Sequence, residues 1–175
     1  MKRSVYIISG PAGVGKSTIS QELVKQLKRS SYISGDDISH IPVNGRGKPW
    51  LCQETSKLTW INILGLTRNL IDFRYDVVID YVTFPSEAIW LAKELGSVEV
   101  NIFYIVLMVD EMSIVKRDQS RDPAIQMGDR SLILLKEFRE ALTDDQHVLN
   151  TQLYNADEVN KVINEIMNNK RFLVS

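Results

Sequence analysis

The chain has 175 residues, near the roughly 150 typical of one domain, and its 44% hydrophobic and 25% charged residues exclude disordered, collagen-like and low-complexity classes. Its 21 Lys and Arg against 22 Asp and Glu leave a formal charge of −1. That balance removes the usual electrostatic reason for binding a long nucleic acid.

Val5-Tyr6-Ile7-Ile8 is a short β-branched and aromatic run ending in Ser9-Gly10, which reads as a buried strand feeding a turn. From Ser17 to Lys28, Ile19, Leu23, Val24 and Leu27 recur at helical spacing, with Lys25, Lys28 and Arg29 at the C-terminal end, where cations complement the helix dipole. Tyr32-Ile33-Ser34 reads as a second strand. An irregular stretch punctuated by Gly35, Pro42, Gly45, Gly47 and Pro49 follows, then a helix from about Glu54 to Phe73 with an apolar stripe of Trp60, Ile63, Leu66, Leu70 and Phe73. Asp76 to Asp80 is a third strand, Pro85 to Leu95 a helix with Pro in its first turn, and Ile102 to Val109 a fourth strand. A helix over 111–121 should stop at Asp122-Pro123, because a residue before proline avoids the helical region. A loop at 122–129, a helix from Ser131 to Leu142, a strand at His147-Val148-Leu149 and a helix from Asp157 to Asn168 complete the chain. Continuous apolar strands separated by helices predict one α/β domain over 1–175, with a parallel sheet covered on both faces and right-handed crossovers.

The one cysteine, Cys52, has no internal disulfide partner and reads as a passive thiol. The apolar run Ile102 to Val109 falls far short of the roughly 20 residues of a bilayer-spanning helix, and no cleavage pattern follows Met1-Lys2-Arg3. The expectation is a cytoplasmic protein away from membranes, monomeric or homodimeric.

The candidate chemistry begins with Gly10-Pro11-Ala12-Gly13-Val14-Gly15-Lys16-Ser17, followed by Thr18. It matches G-x-x-x-x-G-K-[ST], the phosphate-binding P-loop, and lies between a predicted strand and a predicted helix. Glycines let backbone N–H groups close around phosphate oxygens, and the helix start adds its positive end. Lys16 would contribute a full charge to the β- and γ-phosphates, and the Ser17 hydroxyl is a hard ligand suited to Mg²⁺.

Asp80 ends the third strand, on the sheet edge beside this loop, where a carboxylate can hold a metal-bound water. It reads as a Walker B acid; the competing reading is a turn cap. Asp36 and Asp37 follow the second strand on the same rim: Asp36 is the candidate base for an acceptor hydroxyl, Asp37 a substrate or metal ligand. Arg117 and Arg121 lie four apart on one helix face, before a lid over approximately 117–130. Arg121 is placed as the arginine that stabilises transferring charge and Arg117 as a nucleotide contact, against a reading of surface pairs with Asp118 or Asp122. Arg130 and Trp50 are candidates for the acceptor pocket. His40 and His147 stand apart from metal-ligand company and read as polar packing.

Together, Gly10 to Ser17, the Gly35-Asp36 pair, Asp80 and the Arg117/Arg121 pair resemble the P-loop small-molecule kinases. The resemblance spans essentially the whole chain and is strongest to the gluconate kinase, shikimate kinase and chloramphenicol phosphotransferase branch, in particular to bacterial gluconate-kinase-like proteins. It implies a five-stranded parallel sheet of order 2-3-1-4-5, ATP and Mg²⁺ as cosubstrates, and γ-phosphoryl transfer to the hydroxyl of a small molecule such as a sugar acid or an antibiotic. Gly47-Lys48-Pro49-Trp50-Leu51 is similar to a Pro-Trp-Leu segment of gluconate kinases, but the acidic and arginine-rich stretch before it is absent. Tyr81-Val82-Thr83-Phe84-Pro85 stands where shikimate kinases carry a Gly-Gly-Gly turn, which argues against shikimate. A regulatory NTPase and a toxin-type, polynucleotide-end or nucleotide-sugar kinase are the alternatives.

Overall fold

Both faces of the apolar strands are buried, as their continuous hydrophobic runs require. The computed structural model describes residues 2–152, 154 and 158–174. The strands are β1 (Arg3–Ser9), β2 (Ser30–Ser34), β3 (Asp76–Asp80), β4 (Val100–Met108) and β5 (Val148–Asn150), all parallel, in the expected order β2-β3-β1-β4-β5. The helices are α1 (Lys16–Gln26), α2 (Gly35–His40), α3 (Gln53–Asp72), α4 (Pro85–Glu94), α5 (Glu111–Gln119), α6 (Asp129–Ala141) and α7 (Val159–Asn168). Short 3-10 turns occupy Pro123–Ile125 and Lys170–Phe172. The expected start of the last helix at Asp157 lies outside the described residues. Among the described residues no helix is long and apolar enough to cross a membrane.

Alternate strand residues feed two cores. Val5, Ile7, Val77, Ile79 and Tyr104 pack with Trp60 and Ile63 of α3, Leu91 of α4 and Phe138 of α6. Tyr6, Ile8, Val78, Ile105 and Leu107 pack with Leu23 of α1, Ile114 of α5 and Ile163 and Ile166 of α7. The crossover from β1 leads toward β2 and that from β4 toward β5, so chain direction diverges between the C-terminal ends of β1 and β4. Parallel sheets place ligands at such a crevice.

Two local expectations change. The stretch after β2 begins with a helix, α2, because Ser34 at its N-cap accepts a hydrogen bond from the Asp37 N–H at 3.2 Å and the first turn carries two acids. The buried face of α3 runs through Trp60, Ile63, Leu64, Thr67 and Ile71, whereas Leu66 and Phe73 are exposed. Thr67 can sit in that face because its hydroxyl donates to the Ile63 carbonyl at 2.7 Å.

Phe138 is fully buried and stacks on Phe84 with ring centroids 4.5 Å apart, tying α6 to the start of α4. Phe138→Ala is expected to destabilise the protein by about 3–5 kcal/mol. Urea denaturation checks this; a loss under about 1 kcal/mol would mean the layers close around the gap.

Candidate active site

The loop after β1 wraps back on itself before α1 starts at Lys16. Gly10, Gly13 and Gly15 all have positive φ. At Gly10 no other residue fits, since an added Cβ would stand 2.3 Å from the Leu107 carbonyl oxygen of β4. Val14 turns its side chain into the core and its N–H donates to the Pro11 carbonyl at 3.4 Å, closing the turn. Gly15, at φ 105, is the N-cap of α1 and gives the first-turn N–H groups no side-chain acceptor. The space beside it is open: an added Cβ would meet nothing within 4 Å. This is a cradle of backbone donors at a helix start, suited to an anion. Ser17 and Thr18 lie exposed in the first turn. The Lys16 ammonium curls over the loop and donates to the Gly10 and Pro11 carbonyls, each at 3.1 Å.

Two acids act on that ammonium without pairing with it. Desolvation lowers the Lys16 pKa, Asp80 and then Asp36 oppose this, and the Arg121 charge adds to the lowering. Asp80 is buried at the end of β3 and accepts a hydrogen bond from the Tyr32 hydroxyl at 2.7 Å. Burial and this bond to Asp80 push the Tyr32 hydroxyl pKa up, with Ser17 opposing, so Tyr32 stands between the two residues expected to face a metal. Tyr32 had no signal beyond its place in a strand; the contact arises because β2 pairs with β3.

Both candidate acids after β2 stand in the first turn of α2, where successive residues point about 100° apart. Asp36 keeps contact with solvent, yet desolvation in the cleft raises its pKa, with Lys16 opposing and Asp80 adding to the rise. Asp37 acts on Tyr32 and on Asp36 and does not figure among the charges on Lys16. Gly35 allows α2 to begin against the Tyr81 ring, since a Cβ there would fall 2.2 Å from its Cγ.

Beneath the loop lies a buried polar junction that sequence inspection did not single out. The Ser9 hydroxyl donates to the Thr83 carbonyl at 2.7 Å and accepts from the Thr83 N–H at 2.8 Å. The Tyr104 hydroxyl donates to the same carbonyl at 2.7 Å. It locks the end of β1, where the loop departs, to the segment after β3.

On the other side, the Arg117 guanidinium of α5 donates to the Val14 carbonyl at 2.9 Å, which brings it against the loop. Arg121 pairs with Asp118 at 3.4 Å while acting on Lys16, so it stands near the loop without touching it. Arg130 lies with its guanidinium carbon 5.5 Å from the Trp50 ring centroid and pairs with Glu137 at 3.0 Å. Trp50 and Arg130 thus come together, on a recess of about 580 Å³ that Leu51, Phe84 and Glu140 also line. The two histidines bond to backbone carbonyls, the exposed His40 to that of Asp36 at 2.6 Å and His147 to that of Tyr104 at 3.1 Å.

No protein-family model matches the sequence, and no curated protein matches it. Solved structures do. A sugar kinase from a Janibacter species superposes with a TM-score of 0.69 at 16% identity, over 94% of both chains. A gluconokinase from Sinorhizobium meliloti gives 0.67 at 17% identity, over 95% of this chain and 94% of that one. The Mycobacterium tuberculosis APS kinase, solved with AMPPNP and APS, gives 0.67 at 14% identity, over 93% of this chain and 96% of its own. The architecture is therefore that of the P-loop kinases. At these identities the likeness defines the fold, while chemistry resides in the side chains of the site.

Proposed function

We propose that the chain is an ATP-dependent kinase that transfers the γ-phosphoryl group to a hydroxyl of a small molecule. The observation that carries this reading is the meeting of Lys16, Asp36 and Asp80 beside an open glycine cradle at the start of α1. The cradle suits a polyphosphate because its donors are backbone N–H groups and its cation is Lys16. ATP would supply the phosphoryl group, and Mg²⁺ would neutralise charge on its phosphates.

Each side chain then has a role set by its position. Ser17 and Asp80 are hard oxygens that would hold Mg²⁺, Asp80 through a water, with Tyr32 fixing the carboxylate. Among the described residues no cluster of three His, Cys, Asp or Glu offers an all-protein metal cage, so this pair would hold the ion together with the nucleotide. Asp36 takes the proton of the acceptor hydroxyl, and its raised pKa makes it a better proton acceptor than an ordinary carboxylate. The acceptor lies toward Asp37 and the Trp50 and Arg130 recess. Trp50 offers it an aromatic face, and Arg130 and Glu137 offer polar groups.

Arg121 acts on charge as it spreads in the transition state. Arg121→Ala is therefore expected to lower kcat about 10²-fold while the KM for ATP moves much less. Steady-state kinetics check it; equal activity would reduce Arg121 to its pair with Asp118.

The reading is tested by an ATP-consumption screen over sugars, sugar acids, aminoglycosides, phenicols, nucleosides and oligonucleotide ends. Turnover stimulated by a small molecule is expected. Stimulation by oligonucleotide ends alone, or slow hydrolysis that no acceptor changes, would overturn it.

A further inference from the structure

Asp118 is a charged residue that the proposed chemistry does not use, yet it is only 5% exposed. It sits in α5 one residue after Arg117. Its carboxylate faces the returning end of the lid. Oδ1 accepts from the Met127 N–H at 3.0 Å, and Oδ2 accepts from the Met127 N–H at 3.1 Å and the Gly128 N–H at 2.8 Å. Arg121 adds its guanidinium to Oδ1 at 3.4 Å.

A buried carboxylate is costly unless such donors surround it. Desolvation pushes the Asp118 pKa up, but the Met127 and Gly128 amides and then Arg121 outweigh it and hold the group below the usual carboxylate range. The same loop is tied a second time, by the Gln126 side-chain amide to the Gln119 and Arg121 carbonyls at 3.2 and 3.0 Å. Gly128, at φ 54, is the N-cap of α6, and Arg130 follows in its first turn. The point where Asp118 grips the chain therefore fixes both where α6 begins and where Arg130 stands.

We propose that Asp118 is the positioning residue of the lid, a latch that clamps the return of the 119–128 segment onto α5 and thereby places Arg121 and Arg130 on opposite sides of the site. Its carboxylate bonds go to the lid backbone and to Arg121. The geometry divides its partners by strength. The amide bonds are short and shielded, whereas the Arg121 contact is long and one-third exposed. A phosphate group can draw Arg121 away while the amides keep the loop anchored. The role of Arg121 and Arg130 rests on the kinase reading; the latch itself is measurable without turnover.

The test is amide hydrogen exchange, read residue by residue, together with kinetics of Asp118→Asn. In the wild-type protein the Met127 and Gly128 amides are expected to be protected at least about 10-fold more than the exposed amides around Asp122. Asp118→Asn keeps the size but loses the charge and one acceptor, so that protection is expected to fall at least about 10-fold. With an active enzyme, kcat falls while MgATP affinity by calorimetry stays within about threefold, because the phosphate loop is untouched. Asp118→Asn and Arg121→Ala combined are then no worse than the more damaging single change, as for residues acting as a unit. Unprotected Met127 and Gly128 amides in the wild type would overturn the latch even if the variant does not fold. Multiplicative kinetic losses in the double variant would separate Asp118 from Arg121 and overturn its positioning role. Absent turnover with protection intact would count against the kinase reading and leave the latch standing on the exchange data.

Discussion

Lys16→Ala is expected to abolish turnover, with kcat lower by at least about 10³-fold, and to weaken MgATP binding about 10- to 100-fold. The first figure follows from removing a full charge where transition-state charge collects, and the loss of even one neutral donor at such a place costs ~10²- to 10³-fold. The second follows from a hydrogen bond to a charged group, worth about 1.5–3 kcal/mol. Lys16 now donates to the Gly10 and Pro11 carbonyls, so its ammonium already stands over the loop and has only to exchange two carbonyls for phosphate oxygens. Its removal also unties the loop from within. Isothermal titration separates the two effects, and unchanged MgATP affinity in the variant would rule out a phosphate contact by Lys16.

Asp36→Asn is expected to lower kcat by ~10²- to 10⁴-fold while MgATP still binds, the range for a positioned proton acceptor. Asp37→Asn is expected chiefly to raise the acceptor KM. The physical ground differs from the one that the sequence suggested. In the sequence, Asp36 directly follows Gly35 at the strand end, whereas Asp37 opens the stretch toward Pro42. In the structure both are held in α2, and the short helix separates them by direction. Asp36 shares its surroundings with Lys16 and Asp80, whereas Asp37 does not act on Lys16. Nearly normal kinetics for Asp36→Asn, with Asp37→Asn inactive, would exchange their roles.

What could be read from the chain was what short segments decide alone. The phosphate loop is a contiguous motif between a strand and a helix, and the buried strands announce themselves by unbroken β-branched runs. Helix α2 is masked in the sequence by Pro42, Gly45, Gly47 and Pro49 in the stretch after it, although Ser34 followed by Asp36 and Asp37 is a helix-start signal. On α3 the sequence stripe includes Leu66 and Phe73, which the structure exposes, since periodicity alone does not say which of two overlapping apolar arcs meets the sheet. Tyr32 reaches Asp80 only because β2 lies beside β3, and Arg130 reaches Trp50 only because α6 returns past the segment before α3. Asp118 looked like a surface partner for an arginine. Its burial depends on the lid folding back over it, a fact carried by Met127 and Gly128 rather than by its neighbours in sequence.

The most direct test of the central claim follows the terminal phosphate of MgATP, labelled at the γ position, in the presence of the acceptor that the screen selects. The account predicts label on an acceptor hydroxyl in amounts equal to the ADP formed, with none transferred by Lys16→Ala. Label recovered only as inorganic phosphate, at a rate that acceptor does not change, would contradict it.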